Sequence, residues 1–296
     1  VRTGHECLAC FRQQALNTAE MAGADEAVRA RVVAGIERLL PELDSNLSPP
    51  ENAVAVYARI AEITGVADPF AGVKAASSRF ALELRDEVRA RIEASPDPLY
   101  AAARYAIAAN IIDYGTRRKF DALHALRTCL DRPLVLDEYD RFRAAVAGAA
   151  GREVLYLADN CGELVFDGLF CEQLLKLGCR VTLAVRGMTI LNDATLPDVR
   201  ACGLDEHWPV MSNGTGCPGT PLASCSEEFR RAFARAGMIV SKGQGNFETL
   251  ADTAGPIFFL LTVKCPVVAR RIGGECGLGP DRLAGRGEMI LIKGKE

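Results

Sequence analysis

Histidine is scarce in this 296-residue sequence. His5, His124 and His207 stand alone, which argues against a histidine-rich catalytic or metal site. Charge of one sign is not in excess: 35 Lys and Arg face 38 Asp and Glu, a formal net charge of −3. The basic stripe of a general nucleic-acid binder is therefore missing. Long apolar runs are missing too. The longest, Pro256–Val263, falls far short of a membrane span, and the opening VRTGHECLAC lacks the apolar core of a secretory signal. These absences predict a cytoplasmic chain with neither nucleic acid nor membrane as partner. Cysteine, by contrast, is plentiful. An odd 11 in a chain this long predicts mostly reduced thiols rather than a disulfide scaffold.

Glycine and alanine divide the chain. Residues 1–150 hold 7 Gly and 32 Ala, residues 151–296 hold 20 Gly and 12 Ala. Alanine favours helix and glycine marks turns, so a helical N-terminal domain (1–150) should precede a turn-rich one (151–296). Periodicity agrees: Val28, Val32, Ile36, Leu39 and Leu40 share one helical face, and similar patterns cover Asn52–Thr64, Ser78–Ile92, Leu99–Asp113 and Leu136–Ala147. In the second half, apolar runs at Glu153–Ala158, Arg180–Arg186, Met238–Ser241, Ile257–Lys264 and Met289–Lys293 suit buried strands, with a weaker one at His207–Val210. Helical stretches separate most of them. The expected fold is α/β, a Rossmann-like, mostly parallel sheet with helices on both faces behind a helical N-terminal domain.

In such a sheet, ligands bind beyond the carboxyl ends of the strands. Asp159-Asn160-Cys161-Gly162-Glu163 follows the first run, Asn192-Asp193 lies just beyond the second, Lys242-Gly243-Gln244-Gly245-Asn246 ends the third, and Lys264-Cys265 the fourth. Asp159, Asn160 and Asp193 make a hard oxygen-donor set of the kind Mg²⁺ or Mn²⁺ prefers. Lys242 and the glycine-flanked turn after it offer a point charge and backbone N–H groups for a phosphate. A metal facing a phosphate turn implies phosphoryl chemistry. Each motif also has a plain reading: Asp-Asn before Gly as a turn, Asn192-Asp193 as a helix cap, Lys242-Gly-Gln-Gly as a strand-to-helix turn.

Taken in order, Asp159-Asn-Cys-Gly-Glu163, Asp167, Asn192-Asp-Ala-Thr195, Lys242-Gly-Gln-Gly-Asn-Phe-Glu248 and Lys264-Cys265 resemble the metal-dependent damage-control phosphatase family. Cys7-x-x-Cys10 and Asn110-Ile-Ile-Asp113-Tyr-Gly resemble its archaeal and bacterial branch in particular. The resemblance implies a divalent metal (Mg²⁺, Mn²⁺, Co²⁺ or Ni²⁺) held by Asp159, Asn160 and Asp193. It implies hydrolysis of the phosphate monoesters of small metabolites, sugar phosphates or damaged phosphometabolites. Lys242 would then pair with the phosphate, with Gly243, Asn246, Glu248 and Asn192 shaping its pocket. Glu163 and Asp167 become acid/base or supporting candidates, and Asn110 and Asp113 would reach in from the helical region.

Cys7 and Cys10 have half the spacing of a zinc site; buried thiols, an accessory metal and a redox pair all fit it. The Gly-rich loop 213–220 lines the pocket or merely connects, and no Gly-Lys-Ser/Thr makes it a Walker loop. Two rival functions remain. A Rossmann-like methyltransferase would want Gly-x-Gly-x-Gly after the first strand, which Asp159-Asn-Cys-Gly does not supply. A non-catalytic sugar-phosphate or metal-binding protein would keep the same donors without turnover.

Overall fold

The computed structural model describes residues 1–111 and 130–296; Asp113, His124, Cys129 and the end of the helix expected over Leu99–Asp113 lie outside the described residues. Five α-helices come first among the described residues: α1 (His5–Met21), α2 (Glu26–Leu39), α3 (Pro49–Thr64), α4 (Ala71–Glu93) and α5 (Pro98–Ala108). Local chemistry starts and stops them. Asp25 caps α2 by accepting from the Val28 N–H at 2.8 Å. Ser48 and Glu51 form a capping box around Pro49 at the start of α3, and Gly65 ends that helix at φ 72°.

Among the described residues seven strands follow: β1 (Leu136–Asp137), β2 (Glu153–Leu157), β3 (Arg180–Val185), β4 (Val210–Ser212), β5 (Met238–Lys242), β6 (Ile257–Val263) and β7 (Glu288–Lys293). They form one sheet in the order β1-β7-β6-β5-β2-β3-β4. Strands β2 to β6 run parallel, β7 pairs antiparallel with β6, and β1 is parallel to β7. Leu136–Asp137, expected to open a helix, is instead an edge strand. The reason is local: Val135 and Glu138 give their N–H groups to Met289 and Leu291 of β7, and the Asp137 carboxylate takes the Tyr139 N–H. The helix therefore begins only at Tyr139. The weak run at His207–Val210 becomes strand only from Val210.

Alternation along the strands sends side chains to two cores. Val154 and Tyr156 of β2 join Phe258 under α4, α5 and the helices Tyr139–Gly148 and Leu164–Lys176. Leu155 and Leu157 join Ile239 and Phe259 on the other face, under the helices Glu227–Arg235, Gln244–Leu250 and Pro266–Cys276. Each fully buried aromatic or aliphatic side chain contributes about 1.5–3 kcal/mol. Helices α1 to α3 have a third core of their own around Phe11, Val32, Ile36, Val56 and Ile60. Ile190 is the member of that core contributed by the loop after β3, and Leu191 and Val267 pack against it. The helical cap is thus seated on segments that immediately precede Asn192-Asp193 and follow Lys264-Cys265. Among the described residues no helix is long and apolar enough to cross a membrane.

Candidate active site

From β2 the chain winds outward through β3 and β4 on one side and β5 and β6 on the other, so β2 and β5 flank the reversal of strand order. A crevice at the carboxyl ends of the strands is the consequence. Here it is a cavity of about 390 Å³. Its floor carries Asp159, Asn160, Asn192, Asp193 and Glu248, with Lys264 at the exposed rim; α1 adds Cys7, Cys10, Phe11 and Gln14, α3 adds Pro50 and Ala53, and Asn110 closes one side. A larger hollow of about 590 Å³ between α2 and α3 is lined by Arg31, Arg38, Glu42, Arg59 and Glu62, away from the strand ends.

Backbone hydrogen bonds bring the distant donors together. Ala194 N–H donates to Asp159 O at 2.8 Å, Cys161 N–H donates to Asn192 O at 2.9 Å, and Asn160 and Asp193 form an antiparallel bridge. The segments leaving β2 and β3 are thereby stitched side by side. Beneath them lies Arg186, only 2% exposed. Its Nε donates to Asp193 Oδ2 at 2.6 Å and its Nη2 to Asp159 Oδ1 at 3.4 Å. The Asn160 amide nitrogen donates to Asp159 Oδ2 at 3.0 Å and to Glu163 Oε1 at 2.6 Å, which leaves its carbonyl oxygen as the acceptor end.

Burial, then the charge of Asp193 and Glu163, pushes Asp159 well above the usual carboxylate range. Burial raises Asp193 as well, against the pull of Arg186. Two buried carboxylates with an amide beside them are chemically suited to a hard divalent cation. The residues present fit such an ion. Among the described residues no cluster of three His, Cys, Asp or Glu side chains is arranged around an ion position, at Cys7 and Cys10 or elsewhere. The ten described cysteines are all free thiols.

The remaining sequence-predicted residues divide between the cavity and its foundations. Lys242 is 1% exposed, and its ammonium donates to Glu163 Oε2 at 2.9 Å and to Asp167 Oδ1 at 3.1 Å. Burial alone would depress its pKa, but Asp167 and Glu163 hold it above the ordinary lysine value. Burial pushes Asp167 up to about 6; Tyr156 donates to its Oδ1 at 2.7 Å, while its Oδ2 has no partner among the described residues. Asn246 is fully buried, accepting from Arg186 Nη1 at 2.8 Å and donating to Ala158 O and Lys242 O. Asn110 donates to Glu163 and, at 3.5 Å, to Asp159 Oδ2. Glu248 faces the cavity, pushed up to about 7 by burial.

Gly243 has a different use from cradling an anion. Its N–H is already given to Leu260 O at 3.0 Å, and its φ is 84°. A Cβ there would lie 2.1 Å from Asp159 Oδ2. Gly243→Ala should therefore displace Asp159 and add backbone strain, costing roughly 1–3 kcal/mol of stability and most of any Asp159-dependent activity. Urea unfolding and phosphatase assays check this; an active, equally stable variant contradicts it.

Three residues of the site have no role in the sequence reading. Arg186 looks like the last residue of an apolar strand, and its inward direction is invisible in a linear pattern. Lys264 follows β6 as expected, yet only the fold shows it to be the basic residue in the cavity lining among the described residues, its ammonium 3.0 Å from Asn110 O. Gln244 lines the cavity and accepts the Lys264 N–H at 2.9 Å. The signal available was the Lys264-Cys265 pair at a strand end.

Known proteins share this architecture. The chain is 32% identical over 276 residues to a damage-control phosphatase of Pyrococcus horikoshii, covering 92% of this chain and 94% of that one. It is 33% identical over 280 residues to a damage-control phosphatase of Archaeoglobus fulgidus, covering 92% and 95%. The crystal structure of a DUF89 family protein from Pyrococcus horikoshii superposes over the full length of both chains, with a TM-score of 0.89 at 30% identity. Residues 3–277 match the damage-control phosphatase ARMT1-like domain. That match runs from the cap helices through every strand end lining the cavity, and the chain accordingly belongs to the damage-control phosphatase ARMT1-like family and is a phosphatase.

Proposed function

We propose that this phosphatase uses a divalent cation, Mg²⁺, Mn²⁺, Co²⁺ or Ni²⁺, held by Asp159, Asn160 and Asp193, to hydrolyse phosphate monoesters of small metabolites. The observation that carries the reading is one cavity with that oxygen-donor set and Lys264 in its lining. The chemistry such a cation supplies is Lewis acidity toward phosphoryl oxygens and acidification of water. The protein's own groups do the rest. Lys264 balances phosphate charge from the rim, in the role the sequence pattern suggests for Lys242. Glu163, tied to Lys242, keeps the amides of Asn160 and Asn110 turned toward the site. Phe11, Pro50 and Ala53 give the organic part of the substrate an apolar wall and keep water away from it. In this reading residues 151–296 supply the metal and phosphate chemistry, and the helices of 1–150 complete the pocket. Free thiols at the ten described cysteines suit the reducing cytoplasm.

Hydrolysis of p-nitrophenyl phosphate, and then of a panel of sugar phosphates and other phosphorylated metabolites, tests the proposal. Activity is expected only with one of these cations added, and full turnover after exhaustive chelation would overturn it. Lys264→Ala should raise KM and the inhibition constant of inorganic phosphate about 10- to 100-fold, the worth of a charge-assisted hydrogen bond. Unchanged phosphate inhibition removes Lys264 from the site.

A further inference from the structure

Resting on the metal-site reading above, we infer that Arg186 is a positioning residue. It sets the spacing and orientation of Asp159 and Asp193, and thereby the affinity of the site for its cation. Arg186 lines no part of the cavity among the described residues and is buried beneath its floor. Its guanidinium takes one oxygen of each carboxylate, Oδ2 of Asp193 and Oδ1 of Asp159. The second oxygen of each is left to other partners, the cation among them.

The guanidinium is itself held from behind. Its Nη1 donates to Thr220 Oγ1 at 3.1 Å and to Asn246 Oδ1 at 2.8 Å, and Thr220 Oγ1 donates to the same Asn246 oxygen at 2.7 Å. Asn246 in turn donates to Ala158 O, just past β2, and to Lys242 O, at the end of β5. One planar group thus links the ends of β2, β3 and β5, where the strand order reverses. The physical need is plain: two buried carboxylates repel and would turn apart without a cation fixed between their rear oxygens. A lysine keeps the charge but not the planar fork, so it cannot reach both carboxylates and the two rear acceptors together.

Mn²⁺ titration of the full chain, with the free ion followed by electron paramagnetic resonance, tests the inference alongside steady-state kinetics. In Arg186→Lys the Mn²⁺ dissociation constant should rise about 10- to 100-fold, the usual effect of losing an outer partner of metal ligands. At saturating Mn²⁺, kcat should fall while KM for p-nitrophenyl phosphate stays near the wild-type value, because Arg186 does not touch substrate. Thr220→Val, which removes only a rear tether, should shift Mn²⁺ affinity in the same direction by less. A folded Arg186→Lys with wild-type Mn²⁺ affinity overturns the inference and leaves the metal site standing. If Arg186→Lys does not fold, unchanged affinity in Thr220→Val overturns it. A wild-type chain that binds no Mn²⁺ overturns the metal assignment itself.

Discussion

Asp159→Asn is expected to lower metal-supported phosphatase activity about 1,000-fold, on the basis of several kcal/mol of charge stabilisation lost with the cation at roughly tenfold per 1.4 kcal/mol. The substitution is nearly isosteric and keeps a hydrogen-bond acceptor for Arg186, so the fold should survive. It also removes a buried negative charge that Asp193 and Glu163 oppose. The metal-free variant should therefore melt no lower than the metal-free wild type. The two proteins should part when Mn²⁺ is added. Wild type gains stability by mass action as the ion binds the native state, and Asp159→Asn gains little. Asp193→Asn should behave alike, and the double variant should be hardly less active than either single one, because the ligands act as a unit. Thermal melting with and without Mn²⁺, together with kcat/KM, checks all three. Activity within tenfold of wild type in either single variant would remove that carboxylate from the metal site.

Lys242→Met is expected to act on stability first. It leaves Glu163 and Asp167, 1% and 0% exposed, without their shared cation. Breaking a buried pair of this kind costs about 3–5 kcal/mol. Asp167, already pushed up to about 6, can take a proton instead of remaining an uncompensated charge, which favours the lower end of that range. At ~2–4 °C per kcal/mol for a chain of this size, the melting temperature should fall by about 10 °C. Lys242→Met combined with Asp167→Leu should recover part of the loss, since an apolar pair needs no counter-charge. Lys264→Ala, at the exposed rim, should leave melting almost unchanged while weakening phosphate inhibition. A Lys242→Met protein that melts like wild type but no longer responds to phosphate would reverse these assignments and give Lys242 the anion.

The two lysines show where the linear pattern stops being informative. Each follows a buried strand, and Lys242 has the more suggestive neighbours, with glycines on the following turn. In the folded chain its side chain passes to the side of the helix Leu164–Lys176, where Asp167 waits, while Lys264 turns to the cavity. Residues flanking a strand end by one position point to opposite sides of the sheet, and only the register of the neighbouring elements decides which side holds the ligand. Gly243 reads as a phosphate turn because glycine there frees the backbone. In the folded chain Asp159 takes that space instead.

Composition and periodicity by themselves determined the mostly parallel α/β fold, the amphipathic helices ahead of its central strands, and the collection of acids and amides beyond the strands. They suffice because hydrophobic period and glycine placement are local properties that burial on two faces of a sheet must obey. The pairing of Leu136–Asp137 with β7, the seating of α1 to α3 over the cavity, the burial of Lys242 and the place of Arg186 between Asp159 and Asp193 were decided only by tertiary structure. Each depends on contacts between segments far apart in sequence, and a contact at long range leaves no period in the chain that makes it.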